Sequence, residues 1–91
     1  MMHLLPNIQQ LIDDNRLDEA MKKLNCVLAD DDTNDEAFFM RGKLFWRLQK
    51  YSDAVTDFEH AVAINPKSGA VYALDLARDV FNFYNPDLLN P

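Results

Sequence analysis

Phe38-x-x-Arg41-Gly42-x-x-Phe45, followed by Ala54-x-x-x-Phe58 and then by Asn65-Pro66, is the stretch that decides the fold. Ala54, Val55, Phe58, Ala61, Val62 and Ile64 recur at intervals of three and four, the period of an amphipathic helix, with Ser52 in front as an N-cap and Asn65-Pro66 as the stop. Upstream, Thr33-x-x-Glu36 has the form of a capping box and predicts a helix running to about Gln49. Two helices then flank a turn at Lys50-Tyr51. Gly42 lowers helix propensity by about 1 kcal/mol relative to alanine. A close approach by the facing helix is the expected compensation, and Ala54 and Ala61 are small for the same reason.

The same pattern recurs when the chain is slid back by about thirty-four residues. Leu11-Ile12 falls opposite Phe45-Trp46, Leu17 opposite Tyr51, Asp18-Glu19-Ala20 opposite Ser52-Asp53-Ala54, Leu24 opposite Phe58, and Val27-Leu28 opposite Ala61-Val62, with no gap. Sliding forward sets Tyr72 opposite Phe38 and Leu76 opposite Gly42, so a third unit begins near Gly69 and has room for one helix before Pro91. Pro6 suits the first turn of a helix reaching about Asp14, and Asp18 is a cap for another running to about Ala29. A fifth helix is predicted from about Gly69 to Phe83. No segment alternates with period two over a useful length, so no strands are predicted.

These residues resemble the tetratricopeptide repeat, a helix-turn-helix hairpin that stacks on copies of itself. The resemblance is carried best by residues 35–68. Residues 1–34 depart from it, with Ile8 where the family has a small residue and Asp32 where it has proline, although Asn15 substitutes acceptably for glycine in a left-handed turn. The ending from Phe83 to Pro91 is similar to the tails of short bacterial members. The implied architecture is all-α: a right-handed α-solenoid of antiparallel helix hairpins within one domain. It comprises a degenerate unit at 1–34, a well-matched unit at 35–68, and a half unit with capping helix and tail at 69–91.

Composition fits a non-enzymatic domain of a reducing compartment, most simply the cytoplasm. Cys26 is the single cysteine and has no internal disulfide partner, no apolar run is long enough to span a membrane, and no secretory signal opens the chain. A net charge of −6 argues against nucleic acid, whose binding depends on lysine and arginine neutralising phosphates. The positive charge is concentrated in residues 35–68, which hold five of the nine lysines and arginines. Asp30 to Glu36 suggests a calcium loop only superficially: the turn glycine is missing, and Arg41 stands where the bidentate glutamate belongs. His3, Cys26 and His60 have no metal-ligand spacing, and a lone cysteine of this kind is expected to be a small buried apolar residue. Neither a phosphate-cradling loop nor a nucleophile with its base is present, so no catalytic residue, metal or cofactor is assigned.

Resemblance to the repeat family implies binding of a protein or peptide on a concave surface lined by the first helix of each hairpin. In this chain the first helix contributes Leu5, Gln9, Ile12 and Asp13, and the third contributes Glu36, Phe39, Lys43, Trp46 and Arg47. The fifth contributes Ala70, Ala73, Ala77, Val80 and Phe81. The carboxylate clamp of chaperone-binding members would fall on Leu5, Gln9, Met40, Ala70 and Leu74, which cannot form it, so a heat-shock cochaperone is not implied. Phe39, Lys43, Trp46 and Arg47 are the candidate partner-binding residues. Their cationic and aromatic character favours a segment with acidic and apolar residues. The plainer alternative has Phe39 and Trp46 packing between hairpins with Lys43 and Arg47 in water.

Two further expectations follow from the sequence. Arg41 before the glycine and Asp57 before the later aromatic should form a partly buried ion pair. The fifth helix presents apolar residues on two faces, so either the tail folds back with Leu88 and Leu89 over one of them or a second chain covers it. A monomer closed by its tail is favoured, and a homo-oligomer is the alternative.

Overall fold

The computed structural model describes the backbone of residues 4–84 and the side chains of residues 5–80. It contains α1 (Leu4–Asp13), α2 (Leu17–Asp30), α3 (Asp35–Arg47), α4 (Tyr51–Ile64) and α5 (Ala70–Tyr84). No strand occurs among the described residues. Each helix packs on the next in sequence, as in a helical repeat solenoid.

The thirty-four-residue period is visible in the backbone hydrogen bonds. Asn15 has φ 62° and Gln49 has φ 64°. At the first turn the Asn15 N–H donates to Ile12 at 2.9 Å and the Arg16 N–H to Leu11 at 2.8 Å. At the second, the Gln49 N–H donates to Trp46 at 3.0 Å and the Lys50 N–H to Phe45 at 2.8 Å. Both are Schellman motifs, which satisfy the free carbonyls of a helix end through one left-handed residue. The second helices of the two hairpins also end alike: Asp31 donates to Val27 and Asn65 to Ala61, each at 2.9 Å. The side chain of Asp31 then accepts from the Thr33 N–H and that of Asn65 from the Lys67 N–H, each at 3.0 Å. This Asx turn lets the first unit close without the proline that Pro66 supplies in the second.

Those turns displace three predicted caps. The Thr33 hydroxyl is engaged with Asp31, so Asn34 caps α3 instead, accepting from the Ala37 N–H at 3.1 Å. Ser52 and Asp18 both lie inside the first turn of their helices, whose N-caps are Lys50 and Arg16 with no side-chain cap bond. The Schellman turns bring the chain directly into the next helix, and its first amides precede the residues the sequence offers as caps. Pro6 does fall in the first turn of α1.

Ala20, Leu24 and Val27 of α2 and their counterparts Ala54, Phe58 and Ala61 of α4 are all buried. Ile8 and Gly42 occupy matching positions on the helices they face. A Cβ built on Gly42 would lie 2.6 Å from Phe58 Cε1 and 3.3 Å from the Ala54 carbonyl oxygen, so the glycine is required by the close approach of α4. Ile8 is completely buried in the first hairpin, where leucine replaces phenylalanine on the facing helix.

The predicted ion pair is present and larger than anticipated. Arg41 Nε donates to Asp57 Oδ2 at 2.7 Å and Nη2 to Asp57 Oδ1 at 2.9 Å, while Nη1 reaches back to Asn25 Oδ1 at 2.9 Å. One guanidinium thus ties α3 to both α4 and α2. Its carbon lies 5.7 Å from the Phe38 ring centre and 5.6 Å from that of Phe45. The hydrogen bonds to Asp57 raise the Arg41 pKa above its ordinary value; burial opposes this, and the charges of Asp57 and Asp53 add to it. A base raised in this way stabilises the fold fully below its unfolded pKa. That contribution is lost only as pH climbs past the folded value, so the pair is intact throughout the neutral range.

Cys26 is exposed, against the expectation of a buried thiol. It follows Asn25 on α2. On α5, Tyr72 and Leu76 are 77% and 66% exposed, although their counterparts Phe38 and Gly42 are buried beneath α4. Leu88 and Leu89, the residues expected to cover that face, lie outside the described residues.

Candidate partner-binding groove

One face of α3 carries the candidate site, because residues three and four apart stack along a helix. Phe39, Lys43 and Arg47 follow at intervals of four, and Trp46 lies three beyond Lys43. Lys43 and Arg47 are exposed; Phe39 and Trp46 are half-buried. Lys43 Nζ sits 4.4 Å from the Phe39 ring centre, a cation–π contact that holds the ammonium over the ring. Phe39 in turn meets Phe58 edge to face at 6.1 Å and packs against Gly69, where a Cβ would come within 3.0 Å of its ring. Trp46 meets Tyr51 edge to face at 4.6 Å. Both aromatics are anchored in the hairpin at one edge and open at the other, so the packing reading and the binding reading each describe part of the same side chain.

Three neighbouring depressions are lined in part by α3. The first, about 450 Å³, is lined by Lys43, Trp46, Ala73, Leu76, Ala77 and Val80, with Phe58 beneath. The second, about 170 Å³, lies between Lys43 and Arg47 on one side and Gln9 and Ile12 of α1 on the other. The third, about 610 Å³, has Leu5, Pro6, Gln9 and Met40 against Asp31, Asp35 and Glu36. Lys43 borders the first two, and Gln9 and Met40 border the last two, so neighbouring depressions share side chains from α5 to the start of α3. Arg47 is steadied by donating to Asn15 Oδ1 at 3.3 Å, which draws it toward α1 while Trp46 faces α5. The four candidate residues therefore share a helix face; Lys43 borders both of the first two depressions, Trp46 the first and Arg47 the second, while Phe39 lines neither and sits beneath the Lys43 ammonium. Phe81, also expected on the lining, lies outside the residues whose side chains are described.

Two features of the groove escaped the sequence. The buttress of Trp46 is Tyr51, the residue after the turn, and only the repeat register with Leu17 could have flagged it. The second is the part that Asp31 and Asp35 play beside Glu36 at the acidic end. In the structure Asp35 accepts from Asn65 Nδ2 at 3.1 Å, which joins the two inter-helix turns, and Asp31 is held by Thr33. The Thr33 hydroxyl and then its amide keep the Asp31 carboxyl below the usual carboxylate range. A lowered carboxylate supports its turn above the unfolded pKa and loses that support only as pH falls through the folded value, so this end of the groove is charged at neutral pH. Among the described residues no group of three or more His, Cys, Asp or Glu side chains could hold a metal, and no helix is long and apolar enough to cross a membrane.

The tetratricopeptide repeat family model matches residues 35–68, the hairpin formed by α3 and α4 with the turn that follows. Searches of the curated proteins and of the solved structures found no match. Residues 35–68 are thus similar to a tetratricopeptide repeat, and the same turn geometry recurs thirty-four residues earlier.

Proposed function

We propose that the chain is a single-domain, non-enzymatic adaptor of the cytoplasm that binds a segment of a partner protein in the groove along α3, with Phe39, Lys43, Trp46 and Arg47 as the contact residues. Repeats of this family are protein–protein interaction modules, which sets the class of function. The observation that carries the finer reading is the exposed Lys43 ammonium held over Phe39 between two apolar depressions, beside the half-buried Trp46. Tryptophan and arginine are over-represented among residues that dominate binding energy, and a cationic, aromatic patch in an acidic protein selects a segment with acidic and apolar residues. A groove of this size supports binding of roughly micromolar strength, near −8 kcal/mol.

Peptides selected from a random library against the full chain supply ligands for the test. Lys43→Glu/Arg47→Glu should weaken them at least about tenfold, equivalent to ~1.4 kcal/mol, with the fold unchanged by circular dichroism. Wild-type affinity should also fall with added salt, because exposed charges are screened over about 8 Å at physiological ionic strength. Equal affinity in both proteins would remove the groove from the account.

Exposed Tyr72 and Leu76 favour a second reading, self-association through α5. The expected result is a monomer whose mass in sedimentation is constant with concentration. A mass that rises with concentration in the wild type, and no longer does in Tyr72→Lys/Leu76→Lys, would establish self-assembly instead.

A further inference from the structure

Read along its inner face, α3 runs Glu36, Met40, Lys43, Arg47: acid, apolar, base, base, at intervals of four, three and four. Glu36 and Met40 line the larger depression, and Met40, Lys43 and Arg47 the smaller one that shares Gln9 and Met40 with it. Asp31 and Asp35 join Glu36 at the acidic end, over a floor formed by Leu5 and Met40. Glu36 is exposed and has no ion-pair partner among the described residues. Seven residues separate it from Lys43 and eleven from Arg47, which at 1.5 Å per helical residue is about 10 Å and about 16 Å. The two charges are too far apart to neutralise each other directly and too close for a bound segment to meet only one.

We propose that the groove takes a mixed-charge segment of a partner protein: a lysine or arginine at the Asp35–Glu36 end, apolar residues over Met40, and acidic residues at Lys43 and Arg47. This deepens the groove reading and rests on it. The carboxylates alone would say little. What carries the assignment is that Met40 and Gln9 border both the acidic depression and the one beside the cationic pair, so a single ligand lying over Met40 meets both. A uniformly acidic segment is repelled at one end and a uniformly basic one at the other, and such like-charge contacts are how interfaces reject wrong partners. The spacing also fixes the ligand. An extended peptide rises about 3.3 Å per residue, so the basic and acidic side chains stand about three to five residues apart in its sequence.

The probe is a peptide selected from a random library on the full chain, resynthesised in three forms with the same apolar residues: basic at one end and acidic at the other, acidic at both, and basic at both. The wild type should bind the mixed form about fivefold more tightly than the acidic form. Glu36→Lys should narrow that preference, because a cation then stands beside Asp31 and Asp35 at the acidic end. If the wild type binds the acidic form as tightly as the mixed one, or if Glu36→Lys leaves the preference undiminished, the mixed-charge assignment is wrong while the groove reading stands. If all three forms bind Lys43→Glu/Arg47→Glu as they bind the wild type, the groove reading itself fails and takes this inference with it.

Discussion

Arg41→Leu is expected to lower stability by about 3–5 kcal/mol, because it strands a carboxylate inside the hairpin. Asp57 is 2% exposed, and the structure gives it two hydrogen bonds, both from Arg41. Removing the other partner is milder. In Asp57→Asn the guanidinium loses a charged acceptor but keeps Asn25 and its place beside Phe38 and Phe45, so the loss should be about 1.5–3 kcal/mol, the range for a hydrogen bond to a charged group. Arg41→Leu/Asp57→Leu should regain much of the larger loss, since apolar replacement of a whole buried pair is often neutral. For a domain of this size each kcal/mol moves the melting temperature by about 4–8 °C, so Arg41→Leu should melt at least about 12 °C below the wild type by circular dichroism. A melting temperature unchanged in both single variants would mean that the pair does not hold the three helices together.

The second large effect is at Gly42. Gly42→Ile should cost about 3 kcal/mol, at the upper end of overpacking losses, because even its Cβ would overlap the Phe58 ring. Phe58→Leu should recover part of that loss. The double variant reproduces the residues of the first hairpin, where Ile8 and Leu24 stand at the matching positions and are both fully buried. Contacting sites of this kind couple by about 0.5–3 kcal/mol. The double variant should therefore be more stable than Gly42→Ile alone in urea unfolding. Losses that simply add would show that the two hairpins do not share a packing register.

Much of this was legible in the sequence because the signals are periodic or chemically unambiguous. Ala54, Phe58 and Ala61 at helical spacing, with copies at Ala20, Leu24 and Val27, required a second hairpin facing the same way. Gly42 implied a close approach, and Arg41 with Asp57 implied a pair. The helix starts were less legible. Thr33 and Asn34 are both good caps, and the choice between them is made by Asp31, which captures the Thr33 hydroxyl and amide in a local turn. Gln49 is another case: a left-handed glutamine is a poor choice by propensity, and only its register with Asn15 gives it away. Of the site, the stripe from Phe39 to Arg47 follows from helical spacing. At the acidic end only Glu36 was expected on the lining; Asp31 and Asp35 join it there through the turn between α2 and α3. Exposure of Tyr72 and Leu76 had a sequence signal, the second apolar face of α5, but what covers that face did not.

Trp46 is the only tryptophan in the chain, so its indole N–H gives one resonance that reports on the groove. The most direct measurement is that resonance in a two-dimensional NMR titration of the full chain with a library-selected peptide, alongside the backbone amides. The account predicts that the indole signal shifts in step with saturation, together with the amides of Phe39, Lys43 and Arg47. A peptide that saturates the protein while the Trp46 indole and those amides stay fixed, and the shifts gather around Tyr72 and Leu76, would contradict it.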